Sequence, residues 1–484
     1  MRTAAVAFLA AAATAAVLTP LVRGLASRRG LLDHALGSRK VHGRPVPRLG
    51  GVAMVVAFYA PLAALLFVDS EVGHRFWAQG ERAVGLFAGG LAIAALGVFD
   101  DLWGADARVK FTVQFAVAGL LYAIGFRIDQ IANPFGDPIQ LGVLGLPFTL
   151  LWIAGVVNAM NLIDGLDGLA GGVALVAVAT TFAVAALRGE PLMVLFTAAL
   201  AGAIVGFLFY NFNPASIFMG DTGSMFLGFV LATTAIQTNQ KSATAVAILV
   251  PIVALGVPIA DTVLAVARRA ARGAPLFQAD RGHIHHRLLA AGLTHRQAVL
   301  VLYGASIVLG LFALVLAFAS SADAALFLLC LSALGALALR RLGYLDLGAA
   351  GSVLTLRRRN LEMREAMRRA GEALRSATGP EALWEVVRAA AAALGASAVS
   401  LRIAGHRWAE GLDGAGSDLL RARYPLIAAR QADDHVELGF SDGRTTVDRD
   451  TEVAAELLCE HLVLAVERIE RSVEAAPSQA AAPR

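Results

Sequence analysis

Residues 192–211 read LMVLFTAALAGAIVGFLFYN, twenty positions without a charged side chain, and the chain turns at once into FNPASIFMGDTGS (212–224), where an acid stands between two glycines. A helix of about 20 apolar residues crosses the hydrocarbon of a bilayer. The first stretch therefore sets the architecture as membrane-spanning, and the second places polar groups at its end. Working outward in both directions, apolar runs recur at 3–22, 50–68, 82–99, 110–126, 141–158, 168–187, 217–236, 244–266, 297–317 and 323–340. With 192–211 they make about eleven expected transmembrane helices in an all-α polytopic membrane protein. Composition agrees: 57% of the 484 residues are hydrophobic and 16% charged, with mean hydropathy +0.65, too apolar for a soluble chain of this size. Met1 to Leu21 reads as the first span rather than a cleaved signal, since no small-residue cleavage site precedes the arginines that follow.

The net charge is only +4, so the placement of Lys and Arg carries more than their total. Odd-numbered connections hold Arg23, Arg28, Arg29, Arg39, Lys40, Arg44, Arg48, Arg108, Lys110, Arg268, Arg269, Arg272, Arg281, Arg287 and Arg296. Even ones hold Arg75, Arg82, Arg127, Arg188 and Lys241. The positive-inside bias then places the odd connections and everything after the last span in the cytoplasm, with the N-terminus outside. Cys330 and Cys459 lack the spacing of a disulfide framework or a zinc site, and no feature suggests nucleic acid.

The unusual polar clusters all fall on connections assigned to that one side. Asp100 and Asp101 end a span in LGVFDDLWG, with Lys110 opening the next. Adjacent acids at a membrane boundary are costly unless a cation or proton offsets them, although a solvated Asp-Asp turn is the plain alternative. NAMNLIDGLDGLAGG carries Asn158, Asn161, Asp164 and Asp167 at spacings of three, interrupted by glycines. Such hard oxygen donors suit Mg²⁺, which keeps waters and takes phosphate oxygens as further ligands; helix capping would account for one Asn and one Asp only. NFNPASIFMGDTGS adds Asn211, Asn213 and Asp221, and ADRGHIHHRLL adds Asp280, Arg281, His283, His285, His286 and Arg287. The flanking arginines argue for a hydrogen-bonding cradle for a diphosphate over a zinc site. Asp261, inside an apolar run, is expected to pair with Arg268 or Arg269. The first connection, GLLDHALGSRKVHGRPVPRLGG, contributes Asp33, Arg39, Lys40, His42, Arg44 and Arg48 on a loop shaped by prolines and glycines. Acids for a metal, bases for phosphates and an adjacent bilayer are what transfer between a nucleotide diphosphate and a lipid phosphate requires.

In order, RKVHGRPVPRLGG, FDD, NAMNLIDGLDGLAGG, NPASIFMGDTGS and DRGHIHHRLL resemble the motifs of the polyprenyl-phosphate N-acetylhexosamine-1-phosphate transferase superfamily, glycosyltransferase family 4, over residues 1–345. The resemblance implies a fold of ten or eleven transmembrane helices in a bacterial inner membrane and dependence on Mg²⁺, with Mn²⁺ the alternative ion. It implies transfer of an N-acetylhexosamine 1-phosphate from a UDP-sugar to undecaprenyl phosphate, releasing UMP. Asp221 and Asn161 match metal-holding positions, and Asp167 one near the uracil. Lys110, His283, His285 and His286 match phosphate-contacting positions. Asp100 and Asp101 match the paired acids credited with handling the lipid phosphate. Asn158, Asp164, Asn213, Arg287 and Arg48 complete the expected substrate-binding set, and Asp100, Asp101 and Asp221 the catalytic one. The HIHH form looks like the branch that uses UDP-GlcNAc to start surface polysaccharides; the branch taking UDP-MurNAc-pentapeptide shows three adjacent histidines. A transporter of polyprenyl-linked sugars is the rival class, and should carry its polar site near the bilayer midplane.

Beyond Leu347 the character changes. RRRNLEMREAMRRAGEALRSA places Met363, Met367, Ala370 and Leu374 on one helical face, an amphipathic linker (346–376) expected to lie on the membrane or pair with a second copy as a homodimer. A helix over 380–394, strands at Val399/Leu401/Ile403 and Val436/Leu438/Phe440, and a helix over 451–471 predict a small cytoplasmic α+β domain over 377–472. Its closing helix resembles that of a GAF domain. Residues 473–484, rich in Ala and Pro, are expected to be disordered.

Overall fold

The computed structural model describes the chain except residues 34–44, 66, 68–72, 75–77, 79, 132, 134–137, 241–248, 274–281, 320, 342–349, 404, 412–418, 427–433 and 476–484. Arg39, Lys40, His42, Arg44, Asp280, Arg281 and most of the tail expected to be disordered thus lie outside the described residues. The chain forms two compact units, Met1–Val266 with Phe277–Leu345, and Ala267–Leu276 with Asp346–Arg484.

The first unit is a multi-pass helical bundle. Among the described residues seven helices are long and apolar enough to cross a membrane: Arg2–Arg28, Glu81–Trp103, Gly142–Ile163, Leu169–Leu187, Pro191–Asn211, His295–Leu316 and Asp323–Arg341. The other four expected runs fall on a shorter apolar helix, Gly50–Ala64, on Ala107–Ala123, on the more polar Gly220–Gln240, and on a run divided into Leu249–Ala254 and Gly256–Arg272. The difference has a physical source. Gly220–Gln240 carries Thr233, Thr234, Gln237 and Thr238, which are buried against protein and face no lipid, so its hydropathy falls short.

Pro191–Asn211 is the centre of the bundle, and small residues let its neighbours close on it. Arg2–Arg28 lays Ala4, Ala7, Ala11 and Ala15 along it, while Val6, Leu9, Val17 and Leu21 face outward. A Cβ on Gly202 would stand 2.2 Å from the Phe8 carbonyl oxygen, and one on Gly206 2.3 Å from that of Ala12. Such small-residue contacts supply the close packing that drives helix association where lipid offers no hydrophobic gain. Gly228 brings Gly220–Gln240 onto Gly145–Ile163 in the same way, with a Cβ 2.6 Å from Val157 Cα.

Among its described residues the second unit forms a four-stranded antiparallel sheet with the helices Ala350–Ser376, Pro380–Ala393 and Arg449–Ala475. Strand order is His406–Glu410, Ala398–Ile403, His435–Phe440, Leu420–Pro425. Val399, Leu401, Ile403, Val436, Leu438 and Phe440 alternate onto one face, as a half-buried sheet requires, and share a core with Leu383, Val387, Leu458 and Leu462 from Pro380–Ala393 and Arg449–Ala475. The expected linker departs from its assignment. It is the helix Ala350–Ser376, and Met363, Met367, Ala370 and Leu374 are buried in this same core. Its apolar stripe is covered by the module's own closing helix, so the linker is part of the module.

Candidate active site

The polar clusters meet at one end of the bundle because the helices that carry them alternate in direction: Asp100 and Asp101 end Glu81–Trp103, Lys110 opens Ala107–Ala123, Asn161 ends Gly145–Ile163, and Asp221 opens Gly220–Gln240. The start of Gly220–Gln240 is the focal point. Its first amide N–H groups have no partner within the helix, and Asp101 supplies one from 120 residues away. Oδ1 accepts from the Asp221 N–H at 2.9 Å, and Oδ2 from the Thr222 N–H at 3.0 Å and the Thr222 hydroxyl at 2.7 Å. An acid at a helix N-terminus is also favoured by the helix dipole. Gly220 takes φ +67° with its Cα against the Asp101 carboxylate, where a side chain would collide. Gly97 lets the two helices touch there; a Cβ would lie 2.4 Å from Thr222 Cα. From the other side, Gly50 and Gly51 donate to the carbonyls of Phe218 and Met219, and Phe218 donates to Pro47, so the first loop is stitched to the segment that enters this helix.

Lys110 joins the acids. Its Nζ donates to Asp221 Oδ2 at 2.7 Å and also contacts Asp100 Oδ2, while Asp100 Oδ1 accepts from the Ala105 N–H at 2.5 Å. Asn161 donates to the Ser224 hydroxyl, one turn along from Asp221, at 3.0 Å. Asp164 stands behind this group, with no ion pair to a Lys or Arg among the described residues. Burial first, and then the charges of Asp221, Asp101 and Asp167, hold its carboxyl well above the ordinary carboxylate range.

The Asp164–Gly168 loop is fixed from three sides. Asn213 Nδ2 and the Ala215 N–H both donate to Asp167 Oδ2, at 2.9 and 3.0 Å. The Asp167 N–H donates to His295 Nε2 at 2.9 Å, and the Tyr303 hydroxyl to the Gly168 carbonyl at 2.6 Å. His285 packs against Gly165 so closely that a Cβ there would stand 2.4 Å from its Nε2. This imidazole is 2% exposed and its Nδ1 has no hydrogen-bond partner among the described residues. Burial, followed by the neighbouring His286, pushes its pKa down to about 3, so it is neutral at ordinary pH. His286 sits beside it, ring centres 4.3 Å apart, and Arg287 follows on the helix Ile284–Ala290.

The structure thus brings Asp100, Asp101, Lys110, Asn161, Asp164, Asp167, Asn213, Asp221 and His285 together from separate segments. Asn158 lies one turn deeper, where its amide donates to Gln114 Oε1 at 2.6 Å, a bond between helices, and to the Ala154 carbonyl at 2.7 Å. Asp261 was expected to pair with Arg268 or Arg269; the groups on its two oxygens are the His283 ring and the Ile284 N–H. Arg48 follows the Val46–Pro47 strand and donates its N–H to Leu31. Thr222, Ser224, His295 and Tyr303 were not singled out from the sequence, although Thr222 and Ser224 stand inside the FNPASIFMGDTGS stretch that was.

The oxygen-rich set fits a hard divalent ion. Asp221 and the Asn161 amide are the kind of oxygen donors that Mg²⁺ takes, with water and substrate phosphate to complete its shell. The crowding of Asp164 by three other acids is the imbalance that such an ion relieves.

Comparison with known proteins follows the same outline. The family model for glycosyl transferase family 4 matches residues 83–239, the stretch from Glu81–Trp103 through Gly220–Gln240. A probable undecaprenyl-phosphate N-acetylglucosaminyl 1-phosphate transferase of Bacillus subtilis is 39% identical over 313 residues, 64% of this chain and 84% of that one. A decaprenyl-phosphate N-acetylglucosaminephosphotransferase of Mycolicibacterium smegmatis is 39% identical over 316 residues, 60% and 77% of the two chains. An undecaprenyl-phosphate alpha-N-acetylglucosaminyl 1-phosphate transferase of Escherichia coli K12 is 26% identical over 295 residues, 58% and 75%. With its acids, lysine and glycines packed around one helix start and relatives matched over most of their length, the chain belongs to glycosyl transferase family 4.

Proposed function

We propose that this protein transfers N-acetylglucosamine 1-phosphate from UDP-GlcNAc to a polyprenyl phosphate, undecaprenyl phosphate above all, giving the polyprenyl-diphosphoryl sugar and UMP. The observation that carries the reading is the Asp100–Lys110–Asp221 contact, set at one end of an apolar bundle and backed by Asp164, Asp167 and the histidines of Ile284–Ala290. A site at the end of the bundle suits a lipid acceptor whose phosphate lies at the membrane surface and a donor that arrives from water. A transporter needs its site near the midplane.

The acceptor phosphate is largely dianionic near neutral pH, its second pKa being near 6, so the chemistry needs little base catalysis. A lipid phosphate oxygen attacks the β-phosphorus of the UDP-sugar; the new P–O bond forms as the bond to the UMP oxygen breaks and that oxygen keeps the electron pair. Positioning and neutralisation of charge supply most of the rate. Lys110 holds Asp100 and Asp221 together and carries positive charge to the reacting phosphates. Asp101 fixes the start of the Asp221 helix without touching substrate. Asp221 and the Asn161 amide would hold Mg²⁺, which neutralises charge on the diphosphate when bound. His283, His285, His286, Arg287 and Arg48 form the cradle on the donor side, with Asp167 and Asn213 toward the uracil. The two-step route through an Asp100 phosphoryl adduct is the rival mechanism.

The same reading has eleven spans, the N-terminus outside, and both the site and the C-terminal module at the cytoplasmic face of the bacterial inner membrane. The module is GAF-like in this reading and serves interaction or regulation. The test is UMP release by purified protein in detergent with undecaprenyl phosphate and UDP-GlcNAc, with and without Mg²⁺, beside Asp221→Ala. Lipid- and metal-dependent UMP that is lost in the variant supports the reading; turnover with another UDP-sugar alone corrects the donor, and no turnover with any donor refutes it.

A further inference from the structure

Asp261 is 2% exposed, on the helix Gly256–Arg272, and takes no part in the acid cluster. Its carboxylate joins two things. Oδ2 lies 2.9 Å from His283 Nδ1, and Oδ1 accepts the Ile284 N–H at 2.8 Å. The second bond satisfies the first amide of the helix Ile284–Ala290, whose N-cap residue His283 offers no side-chain cap. The first bond sets the rotation of the His283 ring and requires the proton on Nδ1. His283, 5% exposed, in turn stacks on His285 with ring centres 5.8 Å apart and planes within 4°. His285 then fills the space left by Gly165 in the acidic loop. A continuous run of contacts thus leads from Asp261 through two imidazoles to the loop that carries Asp164 and Asp167.

We propose that Asp261 is a positioning residue for the transfer reaction: through His283 and Ile284 it holds the histidine cradle against the Asp164–Gly168 loop, and so sets the affinity for the nucleotide diphosphate. This rests on the transfer reading above. Asp261 touches no substrate. Its effect is on where the imidazoles stand and on which nitrogen of His283 bears the proton, the role a carboxylate plays behind any functional histidine.

The experiment is steady-state UMP release by the full-length protein in detergent, with UDP-GlcNAc and undecaprenyl phosphate each varied, for wild type, Asp261→Asn, His283→Ala and the double variant. Asp261→Asn keeps an oxygen for the Ile284 N–H but turns an amide N–H toward His283, forcing the other tautomer. Its kcat/KM for UDP-GlcNAc is expected to fall about tenfold or more, the order seen when a carboxylate behind a functional histidine is changed. The loss should lie in KM for the UDP-sugar, with KM for the lipid phosphate within twofold of wild type. The double variant should be no worse than His283→Ala, because the two residues act as one unit.

Losses that multiply in the double variant, or an Asp261→Asn enzyme within twofold of wild type, overturn the assignment. So does a fall in kcat with both KM values unmoved. Should Asp261→Asn not yield monodisperse protein, Asp261→Glu, which keeps the charge but moves the acceptor by a methylene, reads the same KM for the UDP-sugar; an unchanged value overturns the proposal and a raised one supports it. A wild-type enzyme silent with every donor refutes the transfer reading itself, and with it the kinetic role of Asp261.

Discussion

At Gly97 one methyl group should do heavy damage to the site. A Cβ there would stand 2.4 Å from Thr222 Cα, 2.6 Å from Thr222 N and 2.8 Å from Asp221 C, all backbone atoms with no rotamer to retreat into. Ordinary contact begins near 3.4 Å, so the two helices must part by about 1 Å where Asp101 caps Asp221 and Thr222. Overpacking of this kind costs about 1–3 kcal/mol of stability. A misplacement of about 1 Å in a positioned site costs about a hundredfold in rate. Gly97→Ala should therefore lower kcat for UMP release about a hundredfold and lower the melting temperature in detergent. Gly119→Ala is the control, since a Cβ at Gly119 on Ala107–Ala123 meets nothing within 4 Å and a helix gains from the exchange. A Gly97→Ala enzyme within threefold of wild type would refute the claim that this helix contact holds the reacting groups in place.

Asp101→Asn should lose activity and melt earlier, with about 1–2 kcal/mol lost from the cap, because a single amide oxygen cannot accept from Asp221 and Thr222 on two sides; kinetics and melting on the same preparation check it. For His285, whose folded pKa lies near 3, the unfolded chain takes up a proton below pH 6.5 that the folded chain refuses, so stability falls as pH drops from about 6.5 toward 3, by at most about 1.4 kcal/mol per pH unit. Melting curves from pH 7 to 5 should show that slope and His285→Asn should flatten it; equal slopes in the two proteins would contradict the burial argument. In the C-terminal module, Leu374→Ala removes a side chain with no exposed surface at a cost of about 2–5 kcal/mol, visible as faster hydrogen exchange in Ala398–Ile403 and His435–Phe440. The buried Cys459 thiol, pushed up to about 12 by burial, should resist maleimide at pH 8 until denaturant is added.

Much of this was legible in the chain because length and period are written locally. Long apolar runs give helices, the alternation at Val399, Leu401 and Ile403 gives a strand, and acids and glycines at helix ends mark the site. What stayed hidden was choice of partner. Asp261 had arginines nearby in sequence, yet the groups on its oxygens arrive from 22 and 23 residues away, and only the fold brings them there. Asp101 looked like a twin of Asp100, but one reaches a lysine and the other a helix start. Nothing in the sequence marks Gly97 apart from Gly119. The strands His406–Glu410 and Leu420–Pro425 escaped notice because they lie at the two edges of the sheet and are mostly exposed, so their apolar alternation is weak. The helix Ala350–Ser376 was read correctly as amphipathic, but an apolar stripe does not name what covers it.

The hydrogen bonds between Pro47–Gly51 and Phe218–Met219 bear on the order in which the protein can be made. The first partner leaves the ribosome early, and the second follows only after more than a third of the whole chain has been added. Several helices enter the bilayer in that interval while the early loop has nothing to bind. The acid cluster at that end of the bundle therefore closes late, when Gly220–Gln240 arrives carrying Asp221, and the histidines of Ile284–Ala290 follow later still. A nascent chain halted before that helix holds every earlier acid and no working site.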